Sequence, residues 1–290
     1  MPEGAVVAGI AGTAPALVLE VDGCVAVTLP GPPRELHELW EAALETEPLR
    51  RLLLRAQPRE RRALRFYGVA ESTVAQALES AGGDGDGVEV TICARDSEIH
   101  VDVFAAPGAE SRGAEVAEAL AAPISAFLYS RTEESVEDLV LAACRARGLS
   151  LATAESCTGG LVAARLTSVP GSSDVFVGSV VSYSNSVKES ALGVPASVLE
   201  AYGAVSAETA SAMAQGARER LGADVAVSVT GIAGPDGGTP AKPVGLVFLC
   251  AAGPGGELSR DFVVTGDRET VRRRATVGAL HLVHELVTKP

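Results

Sequence analysis

Apolar strand segments alternate with helical segments over residues 149–287, and this alternation limits the possible folds more than any other feature. The strand candidates are apolar runs of strand length: 149–154, Val175–Tyr183, Asp224–Thr230, Val244–Ala252 and Arg260–Val264. The helix candidates are 160–168, 187–193, a short one opened by Pro195, 206–222 and 267–287. This order favours parallel strands joined by crossover helices. We therefore expect an α/β domain with a mostly parallel sheet covered by helices on both faces.

Three turns rich in glycine or serine follow strand candidates, at 155–160, 182–188 and 230–238. Ligands of such sheets bind at the carboxyl ends of the strands. Thr153-Ala-Glu-Ser-Cys-Thr-Gly-Gly160 is the most informative turn, because its glycines permit close approach and a helix begins immediately after it. We expect that helix start to offer unpaired N–H groups to an anion or a developing oxyanion. Glu155 could orient a neighbouring lysine or cap the turn.

Ser156 and Lys188 form a candidate nucleophile and base for acyl transfer. The chain has 24 cationic side chains, and only positions 188, 242 and 289 are lysine. A lysine can lose its proton in a buried site, whereas an arginine cannot. The alternative is an ordinary surface lysine at a helix start.

Cys157 is the rival nucleophile, because thiolates form readily at helix N-termini. The alternative is a small buried apolar side chain. The loop Thr230-Gly-Ile-Ala-Gly-Pro-Asp-Gly-Gly238 could cradle a phosphate or supply N–H groups to an oxyanion. Arg272, Arg273 and Arg274 lie early in the last helix, where one of them could clamp a phosphate or all could face solvent.

Composition disfavours several other classes of function. The net charge of −13 is unsuited to a general nucleic-acid or anionic-membrane binder. The seven arginines in residues 48–65 are therefore interpreted as a solvated face paired with carboxylates. Five scattered cysteines without a C-x-x-C pair predict neither a disulfide framework nor a zinc site. We expect a reducing cytoplasm, no signal peptide and no membrane span.

A metal site is considered at His281 and His284, which are three residues apart on the last predicted helix. No Glu or Cys lies at a matching spacing, so we expect neither a metal nor a cofactor.

The first 130 residues divide into two predicted parts. Residues 1–45 contain a hairpin, 16–20 and 24–29, followed by a helix at 34–44, which suggests the end of a domain whose front is absent. Residues 46–130 suggest a small α+β module. Its Gly82-Gly-Asp-Gly85 matches the G-x-x-G of KH domains, but neighbouring aspartates would repel a phosphate backbone, so we interpret it as a plain turn.

Several motifs in a fixed order closely resemble the CinA family over residues 135–288. They are Thr153–Gly160, Tyr183-Ser-Asn185 with Lys188, Gly203-Ala-Val-Ser206, Gly231–Gly238, Lys242-Pro-Val-Gly245, Gly266-Asp-Arg268 and Val271-Arg-Arg273. Residues 1–45 resemble the end of that family's molybdopterin-binding-like N-terminal domain, and residues 46–130 resemble its KH-like linking module. The third domain is then 131–290.

The resemblance implies hydrolysis of the carboxamide of nicotinamide mononucleotide to nicotinic acid mononucleotide and ammonia. Ser156 would be the nucleophile and Lys188 its base, with Tyr183 and Asn185 orienting the dyad or the amide. Glu155, Cys157, Thr158, Gly159, Thr230 and Gly231 would line the substrate pocket. Either Arg272 or Arg273 would meet the 5′-phosphate. We expect a homodimer.

Three alternatives stay open at this point. The first is a non-catalytic or regulatory protein that keeps the site. The second is the metal-dependent ADP-ribose pyrophosphatase activity of the family's N-terminal domain, whose metal and nucleotide residues have no counterpart here. The third is nucleic-acid binding through the arginine run.

Overall fold

The computed structural model describes residues 1–289 and contains twelve strands and ten α-helices. The strands are β1 (Val6–Ile10), β2 (Pro15–Val21), β3 (Cys24–Thr28), β4 (Glu60–Tyr67), β5 (Val88–Arg95), β6 (Glu98–Ala105), β7 (Leu128–Ser130), β8 (Leu151–Glu155), β9 (Phe176–Val181), β10 (Val225–Gly231), β11 (Leu246–Gly253) and β12 (Gly256–Val263). The helices are α1 (Pro33–Leu44), α2 (Glu47–Leu53), α3 (Glu71–Ser80), α4 (Glu110–Ala121), α5 (Val136–Arg147), α6 (Leu161–Ser168), α7 (Asn185–Leu192), α8 (Ala196–Tyr202), α9 (Ala207–Leu221) and α10 (Arg268–Thr288). Two compact units result, residues 1–60 with 105–110, and residues 61–104 with 111–289.

The largest sheet has five strands in the order β12-β11-β10-β8-β9. β9, β8 and β10 are parallel, as the alternation predicts. β11 and β12 are antiparallel, so the expectation of a mostly parallel sheet is wrong for them. The reason is the connections: no helix lies between β10 and β11, and β11 and β12 form a hairpin closed at Gly253 and Gly256. Hairpin loops enforce antiparallel pairing.

Alternate residues of β10 contact different helices, because successive strand side chains point to opposite faces. Val225, Val227 and Val229 belong to a core shared with residues of α5, α6 and α10. Ala226 belongs to a second core with residues of α7, α8 and α9. The sheet is therefore buried on two sides, and its strand ends remain for a site.

The helix boundaries of this unit follow local signals in the sequence. Ser135 caps α5 with a capping box, and Gly148 ends that helix in the left-handed region at φ 63°. The side chains of Ser206 and Asp267 accept backbone N–H groups at the starts of α9 and α10. These caps place both helix starts at the same residues that the sequence predicts.

The second sheet of this unit has the order β5-β6-β4-β7, with α3 and α4 on the same chain segment. Helix α3 is followed by a turn that contains Asp84, which accepts the N–H of Val90 at 2.6 Å. Its assignment as a KH-like module, and the domain boundaries at 45 and 130, stay predictions.

The first compact unit holds the antiparallel sheet β1-β2-β3 together with α1 and α2. The sequence interpretation identified the hairpin and α1 but missed β1 and α2. β1 carries a glycine and a register shift between Val7 and Gly9, which interrupts its strand pattern. α2 lies within the arginine-rich segment, where the many charged residues obscure the sequence pattern of a short helix.

Arginines of this segment pair with carboxylates, as expected, but Arg65 is buried, so the expectation of a solvated face is wrong for it. Arg50 binds Glu45, and Arg51 binds Glu20 at 2.7 Å. Arg61 and Arg65 share Asp102, each at 2.9 Å. Within residues 1–289, no helix is long and apolar enough to cross a membrane.

Gly216 in α9 provides a test of this packing, because a Cβ there would lie 1.9 Å from the carbonyl oxygen of Leu192. Gly→Ala in a helix normally stabilises by about 1 kcal/mol. Here we expect Gly216→Ala to lower the free energy of unfolding by about 2 kcal/mol, as overpacking does. Urea denaturation measures the change. Gly178→Ala is the control, since its Cβ would meet no atom within 4 Å; an equal loss in both variants would contradict this account.

Candidate active site

Ser156 and Lys188 meet at the carboxyl ends of the parallel strands. Ser156 follows β8, and its N–H donates to the carbonyl of Val229 in β10 at 2.9 Å. Lys188 lies in the first turns of α7, and its Nζ is 3.0 Å from Ser156 Oγ. Nζ also donates to the carbonyl of Ser182 at 2.6 Å. The two residues are 32 positions apart in the chain and are joined by a direct hydrogen bond.

The surroundings of Lys188 favour its neutral form. The side chain is 1% exposed, and both of its hydrogen-bond acceptors are neutral oxygens. Burial without a carboxylate disfavours the charged ammonium, so the pKa of Lys188 is lowered from its ordinary value. A neutral amine 3.0 Å from a hydroxyl can accept the hydroxyl proton.

Glu155 caps the turn and does not orient the lysine. Its carboxylate accepts the N–H groups of Gly160, Val162 and Ala163 at 2.9, 3.1 and 2.9 Å. It is fully buried and also accepts from Thr153 Oγ1 at 3.3 Å. The expectation that the start of α6 offers these N–H groups to a ligand is therefore wrong, because a side chain from the same turn already occupies them.

Cys157 has the environment of a structural cysteine. Its side chain is 5% exposed, and burial raises the pKa of its thiol to about 11. The thiol therefore stays protonated at neutral pH, which removes the chemical basis for a thiolate nucleophile.

Thr158 and Gly159 complete the turn. Thr158 is fully buried, and its Oγ1 has no hydrogen-bond partner among residues 1–289. Gly159 is exposed with φ 62°, a conformation that favours glycine. An unpartnered hydroxyl therefore lies two residues from the candidate nucleophile.

Arg272 and Arg273 of α10 have different surroundings. Arg272 donates to the carbonyls of Cys157 and Thr158 at 3.1 and 2.8 Å, so it holds the turn that carries Ser156. Arg273 pairs with Asp96 at 3.1 Å and Glu269 at 3.2 Å. In the described residues, only Arg272 of the two contacts the turn that carries Ser156.

Tyr183 and Asn185 lie on the loop and helix that follow β9. Tyr183 is 62% exposed, and its hydroxyl accepts from Arg268 at 2.7 Å. Asn185 is the exposed first residue of α7. Over residues 1–289, no hydrogen bond joins either side chain to Ser156 or Lys188.

Thr230 and Gly231 end β10, next to the strand that carries Ser156. Thr230 is buried and donates to the carbonyl of Ala204 at 2.6 Å, in the loop before α9. A Cβ at Gly231 would lie 2.7 Å from the carbonyl oxygen of Leu246. Glycine is thus required there by the close approach of β11.

The sequence interpretation missed three residues that build the site. Ser182 supplies the second acceptor for Lys188. Lys242 joins the glycine-rich loop to the carbonyls of Tyr202 and Val205 at 2.6 and 2.7 Å. Arg268 contacts both Tyr183 and Gly234. Lys242 and Arg268 lie in the motifs that resemble the CinA family, so that resemblance could have identified them.

His281 pairs with Glu98 and not with His284. Its Nε2 lies 2.7 Å from Glu98 Oε1, and its ring stacks on Tyr67 at 3.8 Å. Burial lowers the pKa of His281. Among residues 1–289, no group of three or more His, Cys, Asp and Glu side chains is arranged to hold a metal ion.

Glu155 provides the stability test of the turn. Glu155→Gln replaces one acceptor oxygen with an amide that cannot accept the N–H groups of α6. We expect a loss of about 2–3 kcal/mol in the free energy of unfolding, the usual range for hydrogen bonds to a buried charged group. Urea denaturation measures it. Glu208→Gln, at an exposed first-turn carboxylate of α9, is the control and should cost about 0.5 kcal/mol or less. Equal costs would contradict the capping role.

Comparison with known proteins supports one family for the chain. The model of the CinA C-terminal domain matches residues 133–287. A CinA-like protein of Mycobacterium marinum is 42% identical over 293 residues, covering 100% of this chain and 68% of that protein. A CinA-like protein of Mycobacterium tuberculosis is 41% identical over 292 residues, covering 99% of this chain and 67% of that protein.

Solved structures match more than half of the chain. The competence/damage-inducible protein CihA of Agrobacterium tumefaciens is 39% identical, with a TM-score of 0.51, and covers 56% of this chain and 100% of its own. A CinA superfamily protein of Klebsiella pneumoniae is 34% identical, with a TM-score of 0.50, and covers 53% of this chain and 98% of its own. The chain described here belongs to the CinA family.

Proposed function

We propose that the protein is a nicotinamide mononucleotide deamidase that uses Ser156 and Lys188. The observation that carries the proposal is the 3.0 Å hydrogen bond between Ser156 Oγ and a buried lysine whose acceptors are neutral. This pair suits acyl transfer on an amide. The substrate class comes from the resemblance of the surrounding motifs to the CinA family.

The reaction is proposed in two halves. Neutral Lys188 takes the proton of Ser156 Oγ as this oxygen attacks the carboxamide carbon of the pyridine ring. The tetrahedral adduct collapses, the C–N bond breaks, and the nitrogen leaves as ammonia with the proton from Lys188. Lys188 then takes a proton from water, which attacks the ester. The C–O bond to Ser156 breaks, its oxygen regains the proton, and nicotinic acid mononucleotide is released.

Other groups of the turn support this chemistry. Glu155 fixes the backbone that carries Ser156, and Arg272 holds the carbonyls of Cys157 and Thr158. Thr230 and Gly231, at the end of the adjacent strand, are proposed to line the pocket beside the carboxamide. Tyr183 and Asn185 are proposed to orient the substrate at the mouth. Cys157 is proposed to pack beneath the turn.

The cellular setting is also a proposal. All five cysteines are free in the described residues, which supports a reducing cytoplasm. The proposed reaction requires no metal, because the serine supplies the nucleophile. A homodimer is the expected assembly, and light scattering of the purified protein would measure it.

Substitution of the dyad tests the proposal by the release of ammonia from nicotinamide mononucleotide. Ser156→Ala should abolish acyl transfer, and Lys188→Met should lower kcat by about 10²–10⁴, the usual contribution of a positioned base. Cys157→Ala should retain activity, since its thiol is protonated. Circular dichroism confirms that each variant is folded.

The outcomes separate the alternatives. Loss in Cys157→Ala with an active Ser156→Ala would make the thiol the nucleophile. No ammonia from the wild type would leave a non-catalytic member of the family. Metal-dependent cleavage of ADP-ribose by the wild type would instead support the pyrophosphatase, and salt-sensitive binding of nucleic acid would support the arginine run as a binding face.

The pH dependence of kcat/KM tests the protonation state of Lys188. The neutral amine is the active form, so activity should rise with pH through the pKa of the free enzyme. Burial lowers that pKa, so the rise should centre below the ordinary value of 10.5. Cys157→Ala should leave the centre of the rise unchanged or lower it, because the charge of a Cys157 thiolate can only raise the pKa of Lys188. A rise centred at 10.5 or above would contradict the assignment of a buried lysine as the base.

A further inference from the structure

Arg268 joins two of the loops that surround the candidate site. One terminal nitrogen donates to the hydroxyl of Tyr183 at 2.7 Å, in the loop after β9. The other donates to the carbonyl of Gly234 at 2.9 Å, in the glycine-rich loop after β10. Both acceptors are neutral. Within residues 1–289, no carboxylate lies within 4.0 Å of this guanidinium.

The neighbouring arginines of α10 are engaged differently. Arg273 is neutralised by Asp96 and Glu269. Arg272 has two nitrogens committed to the carbonyls of the catalytic turn, and losing them would release that turn. Arg268 is the exposed one of the three that has no carboxylate partner in the described chain, and one of its acceptors, Tyr183, is itself exposed.

An open cleft of about 650 Å³ lies in front of this guanidinium, lined by Leu161, Asp267, Arg268, Glu269, Arg272 and Arg273. Both carboxylates of the cleft already have partners within the protein. Asp267 accepts the N–H of Thr270 at 2.8 Å as the cap of α10, and Glu269 binds Arg273. With three arginines and two carboxylates among its lining residues, the cleft has one positive charge in excess.

The cleft is linked to the dyad through the chain. Tyr183, which contacts Arg268, immediately follows Ser182, whose carbonyl accepts from Lys188. Arg272, on the same wall, holds the residues that follow Ser156. The cleft therefore lies beside residues that directly follow Ser182 and Ser156 in the chain.

We propose that Arg268, and not Arg272 or Arg273, binds the phosphate of the substrate and so gives preference for phosphorylated over unphosphorylated pyridine nucleosides. This proposal rests on the proposed deamidase function. A phosphate oxygen accepts charge-assisted hydrogen bonds from a guanidinium, which are stronger than bonds to a hydroxyl or a carbonyl. Phosphate binding can thus replace the exposed Tyr183 hydroxyl as an acceptor of Arg268.

The test compares nicotinamide mononucleotide with nicotinamide riboside, which lacks the phosphate. In Arg268→Gln, KM for the mononucleotide should rise by about 10- to 100-fold, the usual effect of losing charge-assisted hydrogen bonds. The kcat/KM for the riboside should change by less than about threefold, within the usual effect of an uninvolved surface contact. Arg145→Gln, at an exposed ion pair with Asp174, is the matched control for the loss of one positive charge. It should change neither KM nor kcat/KM for either substrate.

Three results would overturn the proposal. An equal loss for both substrates in Arg268→Gln would mean that the arginine only positions Tyr183. A selective loss in Arg273→Gln that exceeds the loss in Arg268→Gln would assign the phosphate to Arg273. A selective loss in Tyr183→Phe as large as that in Arg268→Gln would assign the discrimination to the tyrosine hydroxyl.

A binding measurement separates this proposal from the deamidase proposal. Isothermal titration calorimetry with ribose 5-phosphate probes the phosphate site without any reaction. Binding to the wild type that weakens by about tenfold or more in Arg268→Gln would support the site even if no ammonia is released. Equal binding to both proteins, or no binding to the wild type, would overturn it.

Discussion

The candidate site depends on the hydrogen bonds that the Glu155 carboxylate accepts. Glu155 lies at the end of β8, fully buried, and accepts three N–H groups at the start of α6. Charged acceptors at a helix start are favoured because the N–H groups there have no partner within the helix. Glu155 thus links the end of β8 to the start of α6, and Ser156 lies in the turn between them. The helix start stabilises the turn and is not left for a ligand.

Lys188 contacts that turn through its hydrogen bond to Ser156. A buried ammonium without a carboxylate partner is unfavourable. Lys188 lies in such surroundings in the first turns of α7. The surroundings of Lys188 therefore favour the neutral amine, because burial lowers its pKa. The oxygens of Ser156 and Ser182 accept hydrogen bonds from the amine and place no negative charge beside it.

The sequence predicted the parts of the molecule that local patterns determine. Ser156 and Lys188 follow adjacent parallel strands, so the strand order alone brings them near each other. The caps at Ser135, Ser206 and Asp267 follow from residue type. The direction of β11 was not predicted, because an apolar run gives no direction and its glycine-rich connection resembles a ligand loop. The hydrogen-bond donor to Glu155 was left open, since a carboxylate in a turn can face either the lysine or the helix.

The spacing of the arginines in α10 explains why one helix serves both the turn and the mouth of the cleft. Residues four apart lie on the same face of a helix, whereas residues five apart are rotated by about 140°. Arg268 and Arg272 therefore face the strand-end loops together, and Arg273 faces Asp96. Their acceptors belong to the loops after β8, β9 and β10. Because β8 lies between β9 and β10 in the sheet, α10 thus contacts the turn that carries Ser156 and the loops after both neighbouring strands.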